Sequence, residues 1–193
     1  MDLLTTDDIQ NLHEYELGRP DFRRRVIELK GRRRVALGPL MTLVFENRDT
    51  VRFQIQEMLR VERIVQPDKV QHEVDVYNEL LPRPGEIATT LFIEITEQDR
   101  IQEVLDGFIG LEEPGHLVLE VGGERYPALF APGQSREDRI SAVHDIRFAL
   151  RDVGRRALAG GAESALDVAH RDYRERQVLS RETVAELLTD LSP

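Results

Sequence analysis

Two glutamates and a histidine interrupt apolar patterns in this chain of 193 residues. In FENRDTVRFQIQEMLRVERI, residues 45 to 64, helical spacing gathers Val51, Ile55, Met58, Leu59 and Val65 on one face. Glu62 falls at the centre of that face and Gln54 on its shoulder, while Arg52, Gln56, Arg60 and Arg63 take the opposite, solvated side. In KVQHEVDVYNELL, Val70, Val74, Tyr77, Leu80 and Leu81 form the apolar face, and Glu73 points into the same sector. In SAVHDIRFAL, strand alternation puts His144 among Ala142, Ile146, Phe148 and Leu150, leaving Asp145 and Arg147 on the other face. A carboxylate on a core-facing stripe must be paired, hydrogen-bonded or protonated. Two carboxylates and an imidazole suit iron, manganese or zinc, so Glu62, Glu73 and His144 are candidate ligands of a divalent metal. A buried Glu–Arg pair with a hydrogen-bonded core histidine explains the same pattern without a metal. That reading is preferred, with Glu62 fixing how two helices meet.

Further polar residues surround these positions. Gln54, Glu57, Arg60, Tyr77 and Arg147 are expected to complete the cluster. Asp167, His170 and Tyr173 in DVAHRDY are a second grouping, with a strand end among polar neighbours as the simpler account. His13 and His72 lie on polar helix positions, and His116 lies in a Pro-Gly loop. HRD lacks the remaining kinase motifs, and QHEVDVYNE is not H-E-x-x-H. Glu113 and His116 have E-x-x-H spacing, but the Pro-Gly between them argues against a helical ligand pair. There is no P-loop, no G-x-G-x-x-G and no G-x-S-x-G.

The run from Arg19 to Arg34 holds eight basic residues against two acidic ones, in a chain of net charge −10. Arg23, Arg24 and Arg25 are expected in the first turns of a helix, where the macrodipole disfavours cations. Together with Arg32, Arg33 and Arg34 they are candidates for binding a phosphate-bearing ligand. The preferred partners are the protein's own carboxylates or those of a second subunit, which leaves a homo-oligomer open.

The elements that must position these residues follow from caps and periodicity. Thr6 or Asp7 starts a helix to about Tyr15, Gly18 and Pro20 break it, and residues 21–30 form another. RRVALGPLMTLVFEN is extended in two pieces around Gly38-Pro39, and Asp49 or Thr50 caps the helix after it. EIATTLFIEIT is a strand, followed by a helix from about Gln98 to Ile109. HLVLEVGGERYPALF forms two strands around Gly122-Gly123. SAVHDIRFAL and ESALDVAH are strands flanking the short helix DVGRRALAGG, and Ser180 caps a last helix, residues 181–191. About six strands and six helices, with a hairpin inside, predict a single α+β domain over 1–193 with a mixed sheet. Its residues 1–34 form a helical, basic-rich N-terminal segment.

The chain has no cysteine, which excludes disulfides, thiolate-bound zinc, iron–sulfur clusters and cysteine nucleophiles. No apolar run approaches the ~18 residues of a membrane span. The acidic start MDLLTTDDIQ lacks the layout of a signal peptide. A cytoplasmic protein is expected, and the net charge disfavours nucleic acid.

FENRDTVRFQIQEMLRVER, EVDVYNELLP, ATTLFIEI, SAVHDIRFAL and DVAHRDY together resemble a bacterial family, domain of unknown function 3501, collinearly from about residue 15 to Tyr173. Where that family's pattern reads H-P-x-Y, this chain has His170-Arg171-Asp172-Tyr173. The resemblance implies no particular chemistry. It does imply a redox or peroxide-defence setting, with iron–sulfur or rubrerythrin-like proteins as partners and this chain as their accessory. Three functions therefore stand as expectations: that accessory role, a Glu/Glu/His metal enzyme, and an anion- or nucleic-acid-binding module through the arginine-rich N-terminal segment.

Overall fold

The computed structural model describes residues 2–135 and 139–191. Asn11 accepts from the Glu14 amide and opens α1, Leu12–Arg33, which runs unbroken through Pro20. The expected break is absent because tertiary packing overrides it. Tyr15, Phe22, Val26 and Arg33 form one buried stripe, while Pro20 sits on the exposed side. There its missing N–H leaves a carbonyl that water can reach. Consequently Arg23, Arg24 and Arg25 lie in the helix interior, and the first-turn dipole argument does not apply to them.

Two strands follow, β1 Arg34–Leu37 and β2 Met41–Phe45, joined at Gly38 with φ +72°. Asn47, rather than Asp49 or Thr50, caps α2, Arg48–Glu62; Thr50 completes the box by accepting from the Asn47 amide. α3, Pro67–Asn78, and β3, Glu86–Ile93, come next. The helix expected to Ile109 stops earlier: a 3-10 turn leads into α4, Ile101–Asp106, and a loop of turns continues to His116.

The Gly122-Gly123 hairpin forms as expected, between β4 Leu117–Val121 and β5 Glu124–Pro127. The remaining elements are β6 Leu129–Phe130, β7 Val143–Ala149, α5 Arg151–Ala159, β8 Ser164–His170, β9 Tyr173–Val178 and α6 Arg181–Asp190. Ser180 caps α6 by accepting from the Thr183 amide.

The α+β class stands, but the expected mixed six-stranded sheet is instead two antiparallel sheets, β1-β2-β3-β7-β6 and β5-β4-β8-β9. β9 escapes a sequence reading because YRERQV has no apolar face. Its ladder to β8 holds it, with Arg176 reaching Glu120 and Glu163.

The main core joins Leu43, Phe45, Leu91 and Phe148 of the first sheet to Leu119, Leu166 and Val168 of the second, with Leu187 of α6. A second cluster, built on Val51, Ile55, Leu59, Val74 and Leu81, forms between α2 and α3. α1 packs on α2 and β2. Among the described residues, no helix is long and apolar enough to cross a membrane.

Candidate functional site

Glu62, Glu73 and His144 do not converge. Among the described residues, no group of three or more histidines or carboxylates is placed to hold a metal ion. A helical wheel gave Glu62 its angle correctly but not its height. The residue sits in the last turn of α2, beside Val61 at 62% exposure, where no layer covers the apolar stripe. Val65 lies beyond the helix end and is exposed. α2 does bury two polar side chains, Thr50 beside the cap and Gln56, expected on the solvated side. The Gln56 amide grips the Gln10 backbone in both directions, accepting at 2.7 Å and donating at 3.2 Å.

Four of the six candidate arginines are occupied by the protein's own carboxylates. Arg24 meets Asp21 at 2.9 Å, Arg32 meets Glu186 at 2.6 Å and Arg34 meets Glu94 at 3.2 Å. Arg33 is fully buried and donates to both Asp190 oxygens at 2.7 and 2.9 Å and to Glu186. Arg25 lies over the Phe22 ring, and Arg23 is exposed. Glu57 takes a two-pronged bond from Arg19, with Tyr15 and Arg60 completing the set, and fastens α1 to α2. The Arg19 guanidinium, foremost, holds the Glu57 carboxyl down at about 2.

Two polar centres remain. The first is a cleft of about 320 Å³ on the outer face of the first sheet, walled by the turn after α3 and the segment after β6. Four carboxylates, Glu46, Glu79, Glu86 and Asp145, line it against two guanidiniums, Arg83 and Arg147. Arg83 pairs with Glu79 at 3.3 Å and Arg147 with Glu86 at 3.4 Å. Arg147 also donates to the carbonyls of Leu81 and Glu79, so it holds the end of α3 on the sheet.

Glu46 and Asp145 are left with neutral partners. Glu46, just past β2 and 4% exposed, accepts from the hydroxyls of Thr50 and Thr90 and from the Gln54 amide at 3.1 Å. Asp145 accepts from the Gln134 amide at 2.6 Å and is the register partner of Thr90. Burial, then the charges of Glu73 and Asp145, raise the Tyr77 phenol above its ordinary range, so these three are electrostatic neighbours. Arg147 thus lines this cleft and Gln54 reaches it through Glu46, while Gln54, Glu57 and Tyr77 also line a surface pocket with Glu62.

The second centre is the loop Gly107–His116. Glu112 brings an oxygen to 3.4 Å from Nδ1 of His144, whose Nε2 donates to the Ser141 carbonyl at 2.8 Å. Burial pushes the His144 imidazole below its ordinary value. His170 and Tyr173 do meet, both against Phe108, while Asp167 turns away to Arg125 at 3.3 Å. His116 stands edge-on to His170, with ring centroids 4.8 Å apart. Of the missed residues, Glu46 carried no local signal; alternation places Asp145 opposite His144, and His116 has its E-x-x-H spacing to Glu113 across a Pro-Gly turn.

These features define an α+β protein of two antiparallel sheets with a carboxylate-lined cleft outside one of them. The chain belongs to the protein family of unknown function DUF3501, whose model matches residues 3–191. It is similar to a solved structure described as a novel protein of unknown function from Burkholderia pseudomallei K96243. The two share 32% identity over 99% of this chain and 100% of that one, with a TM-score of 0.92. No curated protein matches it.

Proposed function

We propose that this protein binds a small organic cation in the cleft, with Glu46 and Asp145 as its anchors. The observation that carries this reading is the charge left after internal pairing. Two carboxylates face one cavity with only neutral donors as described partners. An ammonium or guanidinium supplies the missing charge and donates hydrogen bonds, which are stronger for being charge-assisted. The carboxylates are spread along a wall rather than gathered at a point, which suits an extended organic cation better than a metal ion. The test is calorimetric titration with diaminobutane, against butanediol as the neutral control. Saturable binding that weakens by about tenfold, or 1.4 kcal/mol, in Glu46→Gln and in Asp145→Asn supports the reading. Absence of saturable binding, or an affinity unchanged from the parent in both variants, ends it.

A second reading is an accessory protein of a redox system, its setting taken from the family resemblance and its partners being iron–sulfur or rubrerythrin-like proteins. Its support is an apolar groove of about 410 Å³ between the N-terminal turn and the α2–α3 corner, lined by Ile9, Leu12, Leu59, Ile64, Val65 and Val70. Co-purification with such a partner, lost on Val65→Asp, supports it. Persistence of the complex in that variant removes the groove from the argument.

A further inference from the structure

We propose that His116, His170 and Glu113 form a second site, independent of the cleft, for a borderline divalent metal such as zinc, cobalt(II) or iron(II).

His170 is 4% exposed, and neither ring nitrogen has a hydrogen bond of good geometry. Buried polar atoms are almost always bonded, so an orphaned imidazole points to a chemical role. The carbonyls of Ile109 and Gly107 lie within its electrostatic reach. A neutral imidazole carries its proton on one nitrogen and keeps a lone pair on the other. His116 shows the same division more sharply. Its Nδ1 lies 2.9 Å from the Ala169 carbonyl, which can only accept, so the proton sits there and Nε2 is the lone pair. A backbone carbonyl behind one ring nitrogen is the usual support of a metal-binding histidine.

Glu113 supplies the third donor. Its Oε2 lies 3.7 Å from that same Nε2, and its other oxygen reaches toward Gly110. Gly110 has φ +90°, and a Cβ there would stand 3.6 Å from Cε1 of His170 and 3.8 Å from Oε1 of Glu113. The bare backbone at Gly110 therefore keeps open the space between imidazole and carboxylate. The three donors do not yet enclose one point at bonding distance. Closing the set takes a rotation of the Glu113 side chain, which is 76% exposed. Arg171, next to His170 in the chain, is engaged by the carbonyls of Asp106 and Ile109, where it steadies the loop. Two nitrogens and one oxygen leave a coordination position free, as in metal sites that act on a ligand.

The experiment uses untagged protein stripped with a chelator, dialysed and titrated with cobalt(II), followed by its visible d–d absorption. The expected result is saturation near one cobalt per chain, with affinity reduced about 10- to 100-fold in His116→Gln and clearly weakened in Glu113→Gln. Zinc added afterwards displaces the colour. No saturable spectrum, or the same affinity in His116→Gln, overturns the site. His170→Gln is the stricter variant. Because its side chain is buried, far-ultraviolet circular dichroism accompanies it, and the half-exposed His116 decides the matter if it does not fold. The cleft variants Glu46→Gln and Asp145→Asn should bind cobalt as the parent does, so this site and the cation cleft fail separately.

Discussion

Arg33 and His170 are both buried polar side chains, and they meet burial in opposite ways. Arg33, where α1 meets α6, has no exposure, and two carboxylates and a backbone carbonyl answer its guanidinium. His170, under the 107–116 loop, has two ring nitrogens and no well-formed bond to either. Burial disfavours a charge strongly unless hydrogen bonds and an opposite charge replace water. A saturated group is thereby committed to holding two elements together. An unsaturated one must stay neutral or wait for a partner. Full burial alone thus marks neither group as structural or functional; the count of partners does.

The sharpest way to break the comparison is Arg33→Met. It leaves Asp190 without its cation and Glu186 with Arg32 alone, and removing one member of a buried pair costs about 3–5 kcal/mol. Urea unfolding measures this, and a loss under about 1 kcal/mol would show that the clasp is not committed as described. Gly38→Ala comes next, because a Cβ there would stand 2.6 Å from the Tyr173 hydroxyl oxygen at a φ of +72°. Strain and displacement together should cost about 1–3 kcal/mol, read as a lower Tm.

His170→Leu should cost about 1 kcal/mol or less, since no good hydrogen bond is lost and apolar surface replaces orphaned nitrogen. It should also flatten the pH dependence. His144 and His170 are both held below the ordinary histidine value, chiefly by burial, so the unfolded chain binds more protons near and below pH ~6.5. Stability is then full above that pH and falls as pH drops toward the folded-state values. Denaturant midpoints at pH 7.5 and 5.5 test this, and an unchanged pH slope in His170→Leu would clear that residue. Last, Glu62→Ala should lie within about 0.5 kcal/mol of the parent, as an exposed position does.

How much of this was readable in advance depends on the range of the contacts concerned. The Gly122-Gly123 hairpin, the alternation that buries His144 and the Ser180 cap are local, and each stands as the sequence implies. The continuous α1 is not local: Tyr15, Phe22 and Val26 must meet their neighbours before Pro20 is outvoted. The division into two sheets likewise rests on pairings such as Leu117 with Val168, which periodicity cannot assign. The cleft shows the same limit. Gln54, Tyr77 and Arg147 stand in the sequence as candidates for a polar cluster, but Glu46 reads as the end of TLVFE until Thr90, 44 positions away, is set beside it. Glu62 fails for a different reason, because a wheel has no axial coordinate.

The Arg33 clasp has company. Thr183 donates to the Arg32 carbonyl, and the Tyr173 hydroxyl bridges Leu37 and Leu40 across the β1–β2 turn. Every one of these bonds joins the first quarter of the chain to its last, over separations of 133 to 157 positions. Such contacts carry the largest loop-closure cost and form late. On the ribosome, α1 and its hairpin must therefore wait, half-supported, until about residue 190 has emerged. A chain cut short before Ser180 leaves that opening quarter exposed to chaperones and proteases rather than folded.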